Sequence, residues 1–310
     1  MIFSDQRVKS RVLWLAGAVL AALAGAQAWA YVQMERGLAD FQEREETWLQ
    51  TQIGGWWLWP WEAGWLREVR LQPQDWYNAQ WQLPLFYRLN INRIDFRRSL
   101  ADSSLLHLRL RGLQVPVADS WGWTIGFGRP GDPLAHPPDL RALGYAELLA
   151  DADLDLRFRP EIRSLHLTGT ITVNGFGVFT TDCELDAGAE LLAEDSSRMG
   201  LRRCRLRYED NGALVAMQKS MGQRLNLSPA QLGRLLDARF SAWARQHRLG
   251  LTPASRAAVS VFLEQPRRLE IEADPPALLP LYKVRAAPPE NWFTALGLSL
   301  SIPPSPARPQ

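Results

Sequence analysis

The chain opens with a near-continuous apolar run, residues 12–32, that follows Arg7, Lys9 and Arg11 and holds one strongly polar residue, Gln27. A helix rises ~1.5 Å per residue, so the run is long enough to cross a hydrocarbon core of about 30 Å. Cations before such a run keep the N-terminus cytoplasmic and place the rest of the chain on the far side. Residues 31–50 contain no proline and many helix formers, with Val32, Leu38, Phe41, Trp48 and Leu49 at roughly helical spacing. They read as a helical stalk over 33–52. A second reading of the start is a cleaved signal peptide, because Ala26-Gln27-Ala28 and Ala28-Trp29-Ala30 both fit the small-x-small pattern. Either way the body is exported.

Beyond the stalk the period falls to two. Gly54, Gly55 and Pro60 break the helix in residues 53–65. Alternation then predicts strands over 67–72, 74–83, 90–98 and 103–111. In the last of these Leu106, Leu108 and Leu110 face one way and His107, Arg109 and Arg111 the other. Residues 121–138 read as a long loop and 139–151 as a short amphipathic helix. Strands over 153–159, 161–175, 176–185 and 201–209 suggest an antiparallel meander, with Asn174-Gly175 as a hairpin turn. Three helices are expected over Asn211–Met221, Ser228–His247 and Pro253–Leu263. Ser228-Pro229 sets an N-cap before a proline at the first helical position. A strand over 267–274, a short helix over 291–296 and a last strand close the pattern.

The fold class is therefore α+β. An N-terminal transmembrane helix and stalk precede a strand-dominated, mostly antiparallel curved sheet with C-terminal helices packed on it. The expected organisation is a basic tip and anchor over 1–32, the stalk over 33–52, an α+β domain over 53–302 and a disordered tail over 303–310.

Composition changes this picture little. Of 310 residues, 46% are hydrophobic, enough for a substantial core, which excludes a disordered chain. The net charge of +2 gives no argument for nucleic acid. The two cysteines, Cys183 and Cys204, lie in alternating stretches on the apolar side of their strands. If the strands pair, the sulfurs meet and form a disulfide in an oxidising compartment; the other reading is two buried free thiols. No CxxC pair accompanies them, so no metal site is expected.

Candidate chemistry is sparse. Trp48, Trp56, Trp57, Trp59, Trp61, Trp65, Trp76 and Trp81 cluster after the stalk. Tryptophan suits membrane interfaces, yet a straight stalk of about 20 residues would lift the cluster roughly 30 Å above the bilayer. Trp56, Trp57, Trp59 and Trp61 are the candidates for lipid or membrane contact, against an aromatic core. Gly126 to Gly131 matches GxGxxG, but Pro130 and Pro133 oppose the helix that a phosphate site needs. Asp151, Asp153 and Asp155 resemble the start of a calcium loop, but Leu156 and Ile162 replace its glycine and glutamate. His107, His136, His166 and His247 are scattered. Arg93, Arg97, Arg109, Arg111, Arg157, Arg159, Arg203, Arg205 and Arg207 could form a basic outer face for anionic groups, or a plain solvated one. No catalytic, cofactor-binding or metal-binding residue is assigned, and no cofactor.

Strands with one apolar and one polar face need cover on one side. The C-terminal helices could supply it as an ordinary core, or part of the face could remain as a trough for lipid. The segment LRYEDNGALVAMQKSMGQRLNLSP (206–229) resembles the strand-Asp-x-Gly-Leu-helix passage of single-anchor proteobacterial periplasmic proteins of the DUF2125 and DUF945 type, and more distantly the AsmA-like group. FLEQPRRLEIEADPPALLPL (262–281) resembles their closing segment, and the chain departs from them at Ala213-Leu214. The resemblance implies a non-enzymatic protein of the inner membrane, single-pass, with its body in the periplasm. Lipid handling or envelope biogenesis is the implied role, with phospholipid or envelope proteins as partners; a scaffold of an envelope or secretion assembly is the alternative.

Overall fold

The computed structural model describes residues 25–28, 31–36, 38–39, 43, 49–59, 63–73, 88–99, 102, 104–116, 143–145, 147–186, 199–246, 248–280 and 293–303. Their strands join one open, antiparallel sheet. β1 (Leu49–Gln52) and β2 (Gly55–Trp59) pair with the same edge of β3 (Ala63–Pro73). From there the order follows the chain through β4 (Leu89–Arg98), β5 (Leu105–Pro116), β6 (Glu147–Arg159), β7 (Ser164–Val173), β8 (Gly177–Asp186) and β9 (Gly200–Asp210). β10 (Arg268–Ala273) lies on β9, β12 (Leu298–Ser301) lies on β10, and the two-residue β11 (Leu279–Pro280) extends the pairing of β9.

This is a meander because alternation and turn chemistry agree. β7 and β8 join through Asn174, Gly175 and Phe176, and Gly175 takes the positive φ of 68° that the turn requires. Gly112, at φ 59°, marks a bulge in β5 where the register with β6 shifts.

Three helices are inserted between the neighbouring strands β9 and β10: α1 (Ala213–Leu225), α2 (Pro229–Gln246) and α3 (Pro253–Glu264). Each start is fixed by a side chain. Asp210 accepts from the amides of Gly212 and Leu214 at 2.8 and 2.9 Å. Ser228 and Gln231 form a reciprocal capping box, and the Thr252 hydroxyl accepts from the Ser255 amide at 3.1 Å. Leu232 is fully buried among the helices. The helices pack against β9, β10 and β12. One core cluster holds Phe176, Tyr208, Ala213 and Met217, and another holds Leu201, Ala273 and Leu296. Burial, and after it a hydrogen bond to Asp210, pushes the Tyr208 phenol well above its ordinary value of 10.0.

Three expectations change. The stalk does not stay helical to residue 52, because β1 occupies Leu49–Gln52. The helix expected over 139–151 gives way to β6 from Glu147 onward, where pairing of Leu148, Leu149 and Ala150 with β5 outweighs local helical propensity. Residues 53–65, read as a breaker, contain β2 and the start of β3; large apolar residues on both faces, Trp56 to Trp59, had hidden the alternation of β2. The strand expected over 74–83, the loop over 121–138 and residues 12–24 of the apolar run lie outside the described residues. No helix among the described residues is long and apolar enough to cross a membrane.

Cys183 and Cys204 stand directly opposite on β8 and β9 and are joined by a disulfide of 2.01 Å. With a sequence separation of 21, it restricts the unfolded chain. In the chain-entropy account, its reduction should lower stability by about 3 kcal/mol, read as a shifted urea midpoint with and without reductant. Leu232→Ala should cost a similar amount, about 3 kcal/mol, in the same measurement, and a loss under 1 kcal/mol, as an order of magnitude, would contradict the packing described.

Candidate functional site

The register turns alternation into rows that run across the sheet. One row reads Trp56, Leu66, Ile94, Leu110, Ala152, Ile171, Phe179, Tyr208 and Leu269, each opposite the next. A second reads Leu58, Gly64, Phe96, Leu108, Leu154, Gly169, Thr181, Leu206, Ile271 and Leu300. A third runs from Leu106 through Leu156, Leu167, Cys183, Cys204 and Ala273 to Leu298. These rows make one continuous apolar face. The helices cover its β9–β12 end. Away from them, on β4–β7, Ile94, Phe96, Leu108, Leu110, Leu154, Leu167 and Ile171 are only half-buried, and even on β9 Leu206 is 36% exposed.

The opposite face carries charges in strand-long lanes. His107 and Arg109 on β5 meet Asp155 and Asp153 on β6. β7 contributes Thr168, Thr170 and Thr172. His166 pairs with Asp182 at 2.6 Å. On β9, Arg203 and Arg205 pair with Glu272 of β10, and Arg207 pairs with Glu270 at 2.7 Å. Arg93 and Arg111 reach Asp95 at 2.6 and 3.8 Å, and Arg157 reaches Asp102 at 3.5 Å. The nine arginines therefore do not make a uniformly basic surface: register places carboxylates among them. Solvent screens such exposed pairs, so they specify register more than they stabilise the sheet.

An open hollow of about 780 Å³ lies over β4–β6 on this face, lined by Arg93, Asp95, Arg97, His107, Arg109, Arg111, Asp153 and Asp155 among others. Asp151, Asp153 and Asp155 project from β6 and each binds β5, at the Gly112 amide, Arg109 and His107. They belong to a strand and not to a calcium loop. No group of three His, Cys, Asp or Glu fit to hold a metal ion occurs among the described residues.

The tryptophans divide between the faces. Trp56 lies on the apolar side, where the Tyr31 ring stacks on it at 4.3 Å between centroids. The Gln27 amide donates to the Leu58 carbonyl, which gives the one polar group of the apolar run a partner on the outer edge of β2. Trp57 and Trp59 lie on the other side, edge to face at 5.6 Å, and are 37% and 43% exposed. Trp65 stands opposite Trp57, with the guanidinium of Arg67 at 4.4 Å from its ring. Trp61 lies outside the described residues. The hairpin thus packs beside the end of the apolar run, not a stalk's length from it. Composition alone gave no sign of this contact; the lone Gln27 was its one trace.

Glu272 gives the charge lanes a measurable signature. Hydrogen bonds from Arg203 and then Arg205 hold its carboxyl below its ordinary value of 4.5. A carboxyl with a lower value folded than unfolded stabilises the fold above the unfolded value, and that contribution is lost as pH falls through the folded one. Between about pH 5 and about pH 3 the wild-type melting temperature should fall more steeply than that of Glu272→Gln. Parallel slopes in a pH series of thermal melts would refute this.

A family model described as "Uncharacterized protein" matches residues 161–302, the stretch from the turn before β7 through β12. No curated protein matches the chain.

Proposed function

We propose that the chain is a non-enzymatic protein of a Gram-negative inner membrane, anchored by residues 12–32, whose periplasmic sheet receives lipid acyl chains on the uncovered part of its apolar face. The observation that carries this reading is the set of apolar rows that outrun the described helices, with Leu108, Leu154 and Leu167 half-buried. A monomer gains by covering such a surface, and each methylene moved onto it from water contributes about 0.8 kcal/mol.

Two further observations support it. The Cys183–Cys204 disulfide suits an oxidising compartment, as export through the apolar run requires. Two of the rows begin on β2 at Trp56 and Leu58, which touch Tyr31 and Gln27 at the end of that run. An acyl chain leaving a bilayer there would meet apolar side chains without a polar step. The AsmA-like resemblance fits the same use of a sheet face.

Native mass spectrometry of the full chain, extracted in mild detergent, tests the reading. Phospholipid adducts should survive detergent removal, and Leu108→Ser with Leu154→Ser should lose most of them while far-ultraviolet circular dichroism is unchanged. A lipid-free mass across repeated preparations would overturn it and favour a scaffold whose apolar face meets a protein.

A further inference from the structure

We infer that the β2–β4 corner of the charged face is a docking surface for an anionic membrane, with Trp57 and Trp59 at headgroup depth and Arg67, Arg93 and Arg97 taking lipid phosphates. This rests on the reading of residues 12–32 as a membrane anchor.

Depth is the first argument. Gln27 and Tyr31 stand in the last turns of the apolar run, and both contact β2. The two contacts lie only four residues apart in sequence, so β2 is pinned beside the short stretch where the run ends and the headgroup region begins. The helical residues there are mostly exposed, Tyr31 by 47% and Val32 by 40%, so they face surroundings other than the protein core. At the same level Trp57 and Trp59 present an exposed aromatic pair, the side-chain type that favours this zone.

Charge is the second. Within their described residues, the charged-face positions of β3 and β4 beside β2 carry Arg67, Arg93 and Arg97 against Asp95. At the far end of the sheet, by contrast, the β9 arginines are matched by β10 glutamates. Arg97 forms no ion pair with a described residue, and its register neighbours are Ala63 and His107. Arg67 lies over the Trp65 ring, and Arg93 lies 5.8 Å from it. Stacking holds a guanidinium by its face and leaves its edge N–H groups to donate to phosphate oxygens. Asp95 offsets Arg93 but not Arg67 or Arg97. The excess positive charge therefore lies next to the helix that enters the bilayer, where anionic lipid is met first.

The test reconstitutes the full chain in nanodiscs of phosphatidylcholine, with or without about a third phosphatidylglycerol, carrying a diazirine next to the headgroup. Cross-links are mapped by mass spectrometry. Residues 27–32, Trp57 and Trp59 should be labelled, and labelling of the two tryptophans should rise several-fold with phosphatidylglycerol. Arg67→Gln with Arg97→Gln should abolish that rise while labelling of the anchor stays. Raising the salt concentration should do the same to the wild type, which keeps the test valid if the variant folds poorly. Labelled anchor residues with an unlabelled corner, or a corner indifferent to phosphatidylglycerol, would overturn this inference and leave the anchor reading standing. Absence of labelling from the anchor as well would overturn both.

Discussion

Side-chain alternation held in register across ten successive strands is the constraint on which this molecule depends. Every strand from β3 to β10 pairs antiparallel with its neighbour, so one parity choice propagates across the sheet. A slip of one residue in any strand would send its leucines among the ion pairs and its arginines among the leucines. The charge lanes oppose such slips from one side and the apolar rows from the other. Weak pairs of the Arg109–Asp153 kind thus matter more for uniqueness than for stability.

Much of this was legible because period two is simple to read where residue types differ sharply. Leu106 to Arg111 shows it without ambiguity, as do β8 and β9. The helices after β9 were also plain, and Ser228 before Pro229 announces the start of the second. Reading failed where one property hid another. In β2 both faces carry aromatic residues, so Trp56 and Trp57 look alike although they point to opposite sides. Over Glu147–Asp151 helix-forming residues join a strand because β5 and β7 offer two ladders of partners. The long-range contact of Gln27 with Leu58 leaves only one polar residue in an apolar run, which names no partner.

The two ends of the sheet are unlike in kind. The β9–β12 end is closed by helices, holds the buried clusters and balances its charges. The β2–β4 end has exposed aromatic residues, excess arginine and the N-terminal helix beside it. The family match over 161–302 falls on the closed end together with β7 and β8. On the proposed reading, that division separates a scaffold from the part that meets the membrane, and the half-covered leucines of β5–β7 lie between them.

Gln27 also bears on a hazard common to open sheets. Among the described residues no strand pairs with the outer edge of β2, and an open edge of this kind offers its backbone groups to any passing strand. By occupying the Leu58 carbonyl, the helix caps that border and leaves little room for a neighbouring chain to zip on. A proteolytic cut between Val32 and Leu49 that released the helix would bare this border, and the freed bodies would be prone to join edge to edge into ribbons. Holding its own N-terminal segment in place thus shields part of the border of β2.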